Sequence, residues 1–163
     1  MVAELRHVGP ISMCESFLVD ACVVMDALLP FRPRHSSALA LVREFEARKP
    51  TVYIPAHAYA EYAVTCIIHF KTAPEKFRSQ TIQPFGLPNL PLQVIAIDEK
   101  FISDILVSPL PDLKSSDMLY FLIARYGNLT LITEDERLRK ASIRGGVRAF
   151  SSESALLHIR NGK

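Results

Sequence analysis

The chain has 163 residues, 49% of them hydrophobic and 22% charged, which suits one folded domain and excludes a disordered polyelectrolyte. A net charge of +2 and a pI near 8.5 are too mild to mark a nucleic-acid binder by global charge, although a local excess stays open. The three cysteines, Cys14, Cys22 and Cys66, suggest no disulfide framework, and no apolar run reaches the ~18 residues that span a bilayer; the expectation is a soluble, cytoplasmic protein without a membrane segment.

Residues 1–16 read as an N-terminal extension to a domain over residues 17–163. Residues 17–24 (FLVDACVV), rich in β-branched side chains, read as the first strand. Residues 36–48 place Leu39, Val42 and Phe45 at helical spacing between charges, an amphipathic helix ended by Pro50. A short buried strand is expected at residues 52–54, and Pro55 then opens a helix running to about Phe70. Residues 71–91 carry four prolines and are the least regular stretch. Residues 93–97 (QVIAI) form another strand, and Asp98 is placed to cap the helix behind it. A proline-containing loop at 108–116 leads into a helix at 116–126 that Gly127 ends. Strand 129–133 (LTLIT), helix 135–142, a short strand at 147–150 and a final helix capped by Ser151 or Ser152 complete the chain. Strands alternating with helices imply an α/β fold, a mainly parallel sheet covered on both faces.

Ligands of such sheets bind beyond the carboxyl ends of the strands, and acids collect there. Asp20 interrupts the first apolar run, Asp135 follows the LTLIT strand, and Asp117 lies in the first turn after the proline loop. Each has a plainer alternative: Asp135 as a helix cap, Asp117 as a first-turn acid favoured by the helix dipole. Glu61 is the only formally charged side chain between Val52 and Phe70, on a helix apolar nearly all round and so expected to be buried. A buried carboxylate needs a partner: a basic residue from elsewhere, a proton or a metal ion. A Mg²⁺ or Mn²⁺ ion would answer that need for all four acids together, because hard divalent cations prefer carboxylate and water oxygens. The hydroxyl of Thr133 could position a water or phosphate. Arg137, Arg139 and Lys140 beside Asp135, with Lys114 ahead of Asp117, are either a solvated face or phosphate contacts. Asp26, Asp98, Glu99, Asp104 and Asp112 read as caps or surface groups. The five histidines share no ligand spacing and the cysteines no CxxC pair, which argues against zinc; nucleotide-binding glycine loops and the GxSxG motif are absent from the sequence.

Four segments then resemble, in order, the motifs of the PIN-domain family. LVDAC with VVMDALLP resembles its first strand and helix, with Cys22 where the family has Ser, Asn or Thr. IPAHAYAEYAV resembles the Pro-Ala motif with its helical glutamate, Glu61. SSDMLYFLIARYG resembles the aspartate-led helix of Asp117, and LITEDERLRKA the Thr-x-Asp motif of Thr133 and Asp135. Size and spacing are most similar to VapC-type toxins. The resemblance implies a three-layer α/β/α sandwich and a Mg²⁺- or Mn²⁺-dependent endoribonuclease. It also implies a homodimer restrained by a small antitoxin. The competing expectations are a non-catalytic module binding RNA or protein, and a DNA- or rRNA-processing nuclease with the same chemistry.

Overall fold

In a computed structural model, residues 15–72, 89–90, 92–105 and 110–162 are described. The readings of residues 1–14 as extension, and of most of the 71–91 stretch as irregular, lie outside them.

The first strand is shorter than the β-branched run suggests. β1 covers Ser16–Val19, and α1 (Ala21–Leu28) takes over at once. Asp20 ends the strand because its side chain accepts from the Cys22 N–H at 3.2 Å, satisfying one of the orphan donors of the helix start. That local bond outweighs the weak strand preference of Val23 and Val24. After α1 come α2 (His35–Arg48) and β2 (Thr51–Pro55). Pro55 therefore closes a strand, paired with Ile95, rather than opening the helix. α3 begins three residues later and spans Ala58–Thr72. β3 (Leu92–Ile95), α4 (Glu99–Ile105), α5 (Ser115–Tyr126), β4 (Thr130–Ile132), α6 (Glu136–Arg144), β5 (Ala149–Phe150) and α7 (Ser152–Asn161) follow. Asp98 accepts from the Phe101 N–H at 2.7 Å and Ser151 from the Ser154 N–H at 3.2 Å, the expected caps of α4 and α7.

The five strands are all parallel, in the order β3-β2-β1-β4-β5. Alternate residues feed two cores. Phe17, Val19, Val52, Ile54 and Ile132 pack with α1, α2, α3 and α7 on one face. Leu18, Leu131 and Ala149 pack with α5 and α6 on the other, where Phe101 and Ile102 of α4 join them. The result is the expected mixed α/β sandwich.

Two expectations about burial fail. α3 is not buried all round: Val64 and Ile67 are 54% and 53% exposed, so one apolar face of the helix looks outward. Asp26 is no surface group. It is 1% exposed within α1 and is ion-paired with Arg32, and its backbone carbonyl is 2.9 Å from the His35 ring.

Candidate active site

The chain order reverses at the centre of the sheet, β1→β2→β3 running to one side and β4→β5 to the other, so a crevice opens at the carboxyl ends of β1 and β4. Asp20 and Thr133 stand there. Asp20 is 8% exposed, and its N–H donates to the Ile132 carbonyl at 2.9 Å, which fixes the backbone at the sheet's edge. Its Oδ2 accepts from the Thr133 hydroxyl at 2.6 Å. Thr133 is wholly buried, and its Oγ1 also accepts from the Asp135 N–H at 3.0 Å. With its single proton directed to Asp20, this hydroxyl orders two acids. Asp135 is exposed and caps α6, with Oδ1 accepting from the Leu138 N–H at 2.9 Å. The plainer reading of Asp135 is thus realised, with one of its two oxygens.

Glu61, in the first turn of α3, has no arginine partner among the described residues. Its Oε2 accepts from the Tyr120 hydroxyl at 2.9 Å, and that phenol accepts from the Ala21 N–H at 3.1 Å. Asp117 lies in the first turn of α5 and is half-buried. Among the described residues no ion pair engages Asp20, Glu61, Asp117 or Asp135.

Their electrostatics form a chain. Burial raises the Asp20 carboxyl above its ordinary pKa, the bonds from Thr133 and Cys22 oppose that, and the charge of Glu61 adds to it. Burial likewise raises Glu61 against the Tyr120 bond, and the charge of Asp117 adds. Asp117 is raised by burial and then by Asp135, with Lys114, Ser116 and Arg137 opposing. An acid whose folded pKa exceeds its unfolded value binds more protons when folded, so stability falls as pH rises. The metal-free protein should therefore melt higher at about pH 5 than at about pH 7.5, measured in chelator, and saturating Mn²⁺ should reduce the difference. A flat melting temperature without metal would contradict the upward shift of these carboxyls.

Several neighbours escaped the sequence reading. Cys22 Sγ accepts from the Glu134 N–H at 3.4 Å and lies 3.9 Å from Thr133 Oγ1, so the thiol makes contacts a hydroxyl would make there. Burial, and then the Asp20 charge, push that thiol well above its usual pKa, which keeps it protonated. Glu134 accepts from the Ser152 N–H and pairs with Arg34 at 3.2 Å, bringing an exposed guanidinium to this edge. His57 packs edge-on against Tyr120 at 4.9 Å, and burial lowers its pKa. A phenol in a buried helical position needs a partner, and that was the available signal for Tyr120. Of the basic candidates, Arg137 pairs with Asp112 at 3.4 Å, Lys140 with Glu136 at 2.7 Å, and Arg139 donates to the Thr133 carbonyl at 3.5 Å; Lys114 is exposed at the start of α5. Such exposed pairs are weak and exchangeable.

As placed, no three Asp, Glu, His or Cys side chains among the described residues gather tightly enough to share one ion directly. The donor set nevertheless fits a hydrated hard cation, since Mg²⁺ is held through one or two carboxylates and keeps several waters. The acids offer only oxygen donors, and the two more buried carboxylates, Asp20 and Glu61, have no ion-pair partner to displace among the described residues.

The structure of PAE2754 from Pyrobaculum aerophilum shares the fold at 15% identity, covering 92% of this chain and 98% of that one, with a TM-score of 0.53. A chain of VapBC2 from Rickettsia felis, bound to a DNA fragment from their promoter, does so at 14% identity, 83% and 98% coverage and a TM-score of 0.51. No curated protein matches the chain. A family model described as PIN domain matches residues 17–143, from β1 into α6 and across all four acids. The chain belongs to the PIN domain family.

Proposed function

We propose that this chain is a divalent-metal-dependent endoribonuclease and the toxin of a toxin–antitoxin pair. PIN domains are generally nucleases that use divalent ions. What supports the reading here is that Asp20, Glu61 and Asp117 are each raised by burial and then by the charge of another of the four acids, which sets all four within electrostatic reach in sequence from Asp20 to Asp135.

On this reading Asp20, Glu61, Asp117 and Asp135 hold Mg²⁺ or Mn²⁺. Bound there, the ion supplies a water activated for attack on a phosphodiester and offsets the charge developing on the phosphate. Thr133 keeps Asp20 in one orientation. Arg137, Arg139, Lys140 and Lys114, already at the rim, contact flanking phosphates of the RNA. Val64 and Ile67 supply apolar surface for the homodimer that the VapC resemblance implies. The antitoxin partner rests on the same resemblance, and the shared fold with VapBC2 agrees with it. Among the described residues no helix is long and apolar enough to cross a membrane.

The test is a Mn²⁺ titration with two readouts. A ligand that binds only the native state stabilises it by about 2.7 kcal/mol at a hundredfold over Kd. For a chain of this size that should raise the melting temperature by roughly 5–10 °C. Cleavage of labelled RNA should appear over the same concentration range. A melting temperature unmoved at millimolar Mn²⁺ would favour the non-catalytic binding module, and cleavage of DNA alone would favour the DNA nuclease.

A further inference from the structure

Tyr120 is 1% exposed, yet its hydroxyl joins three elements that are distant in sequence. It accepts from the N–H of Ala21, the residue after Asp20, and donates to Glu61, across separations of 99 and 59 residues. It also lies one helical turn beyond Asp117 on α5, so it touches or neighbours three of the four acids. A phenol has a single proton. With the Ala21 N–H occupying its lone-pair side, the proton goes to Glu61 Oε2, and the direction of the bond is fixed rather than chosen by a free rotor. The His57 ring packs against the Tyr120 ring with centroids 4.9 Å apart, and its ring nitrogens have no hydrogen-bond partner among the described residues, the hydroxyl included. Glu61 Oε1 has no hydrogen-bond partner among the described residues.

We propose that Tyr120 is a positioning residue that holds Glu61 by one oxygen and leaves the other for the cation, tying Glu61 to the Asp20 end of α1. This deepens the metal-nuclease reading and rests on it. Partners that orient a ligand from behind typically set metal affinity or activity by about 10–100-fold. Tyr120→Phe removes the hydroxyl and keeps the ring against His57, so it should raise the Mn²⁺ dissociation constant by about 10–100-fold, read from the electron paramagnetic resonance of free Mn²⁺ in the absence of RNA.

A role confined to folding predicts otherwise, and a double-mutant cycle separates the two. If Tyr120 acts through Glu61, then Glu61→Gln with Tyr120→Phe weakens Mn²⁺ no more than Glu61→Gln alone. Losses that multiply, or a Tyr120→Phe protein that binds Mn²⁺ like the wild type, overturn the proposal while leaving the metal site standing. Wild-type protein that binds no Mn²⁺ overturns the metal reading itself. Should Tyr120→Phe unfold, 3-fluorotyrosine at position 120 retains the hydroxyl. Bound Mn²⁺ should then broaden its fluorine resonance, and a sharp line at saturating Mn²⁺ rejects the assignment.

Discussion

Asp20→Asn is expected to lower metal-dependent RNA cleavage by about a thousandfold or more, with the fold retained. Metal-ion catalysis contributes several kcal/mol of transition-state stabilisation, and about 4 kcal/mol corresponds to that factor. Two opposing changes keep the folded state near its original stability. The Thr133 hydroxyl, 2.6 Å from Oδ2, loses a charged acceptor, which costs about 1–3 kcal/mol. Against that, a nearly buried charge whose ionisation the fold already opposes is removed. The cap to the Cys22 N–H survives, because asparagine caps as well as aspartate. Circular dichroism and cleavage assays on the same preparation separate the two quantities; wild-type turnover would remove Asp20 from the site. Asp135 invites the complementary comparison. Asparagine there keeps the bond to the Leu138 N–H, so a loss of activity in Asp135→Asn reports the missing charge and second oxygen with the cap intact, whereas alanine would lose the cap as well.

The parts of this site legible in the sequence are those set by short-range chemistry. Asp117 and Asp135 are recognisable because a helix start, a preceding turn or strand and an acid lie within a few residues of one another, and Asp98 is legible for the same reason. Glu61 is legible by contrast, as one charge in an apolar helix. Its partner was not, because Tyr120 lies 59 residues away and reads locally as one more apolar position of α5. The Thr133 contact to Asp20, across 113 residues, is likewise a product of β1 lying beside β4. The misread first strand shows two local signals in conflict. Val23 and Val24 favour a strand, the cap at Asp20 favours a helix, and the cap prevails because β1 meets its partners only as far as Val19. The exposed face of α3 shows the converse. Val64 and Ile67 are apolar by composition, and only the placement of neighbouring elements decides whether such a face is covered.

Arg32→Met should cause the largest loss of stability, although Arg32 lies outside the acid cluster. Asp26 is 1% exposed among the apolar residues of α1, and its ion pair with Arg32 supplies the neighbouring positive charge. Removing one member of a buried pair typically costs about 3–5 kcal/mol, because it strands a charge that cannot reach water. At about 2–4 °C per kcal/mol for a chain of this size, the melting temperature should fall by roughly 10 °C. Adding Asp26→Asn to Arg32→Met removes the stranded charge and should recover much of the loss, since a buried pair replaced as a unit is often nearly neutral. The recovery distinguishes charge stranding from simple loss of the arginine stem's packing, which a second substitution would deepen. Well below its melting point the single variant should cleave RNA near the wild-type rate, because no hydrogen bond or ion pair described for Asp26 or Arg32 reaches Asp20, Glu61, Asp117 or Asp135. A melting temperature within a degree or two of wild type would mean that water reaches Asp26 and that the pair contributes little to seating α1 on the sheet.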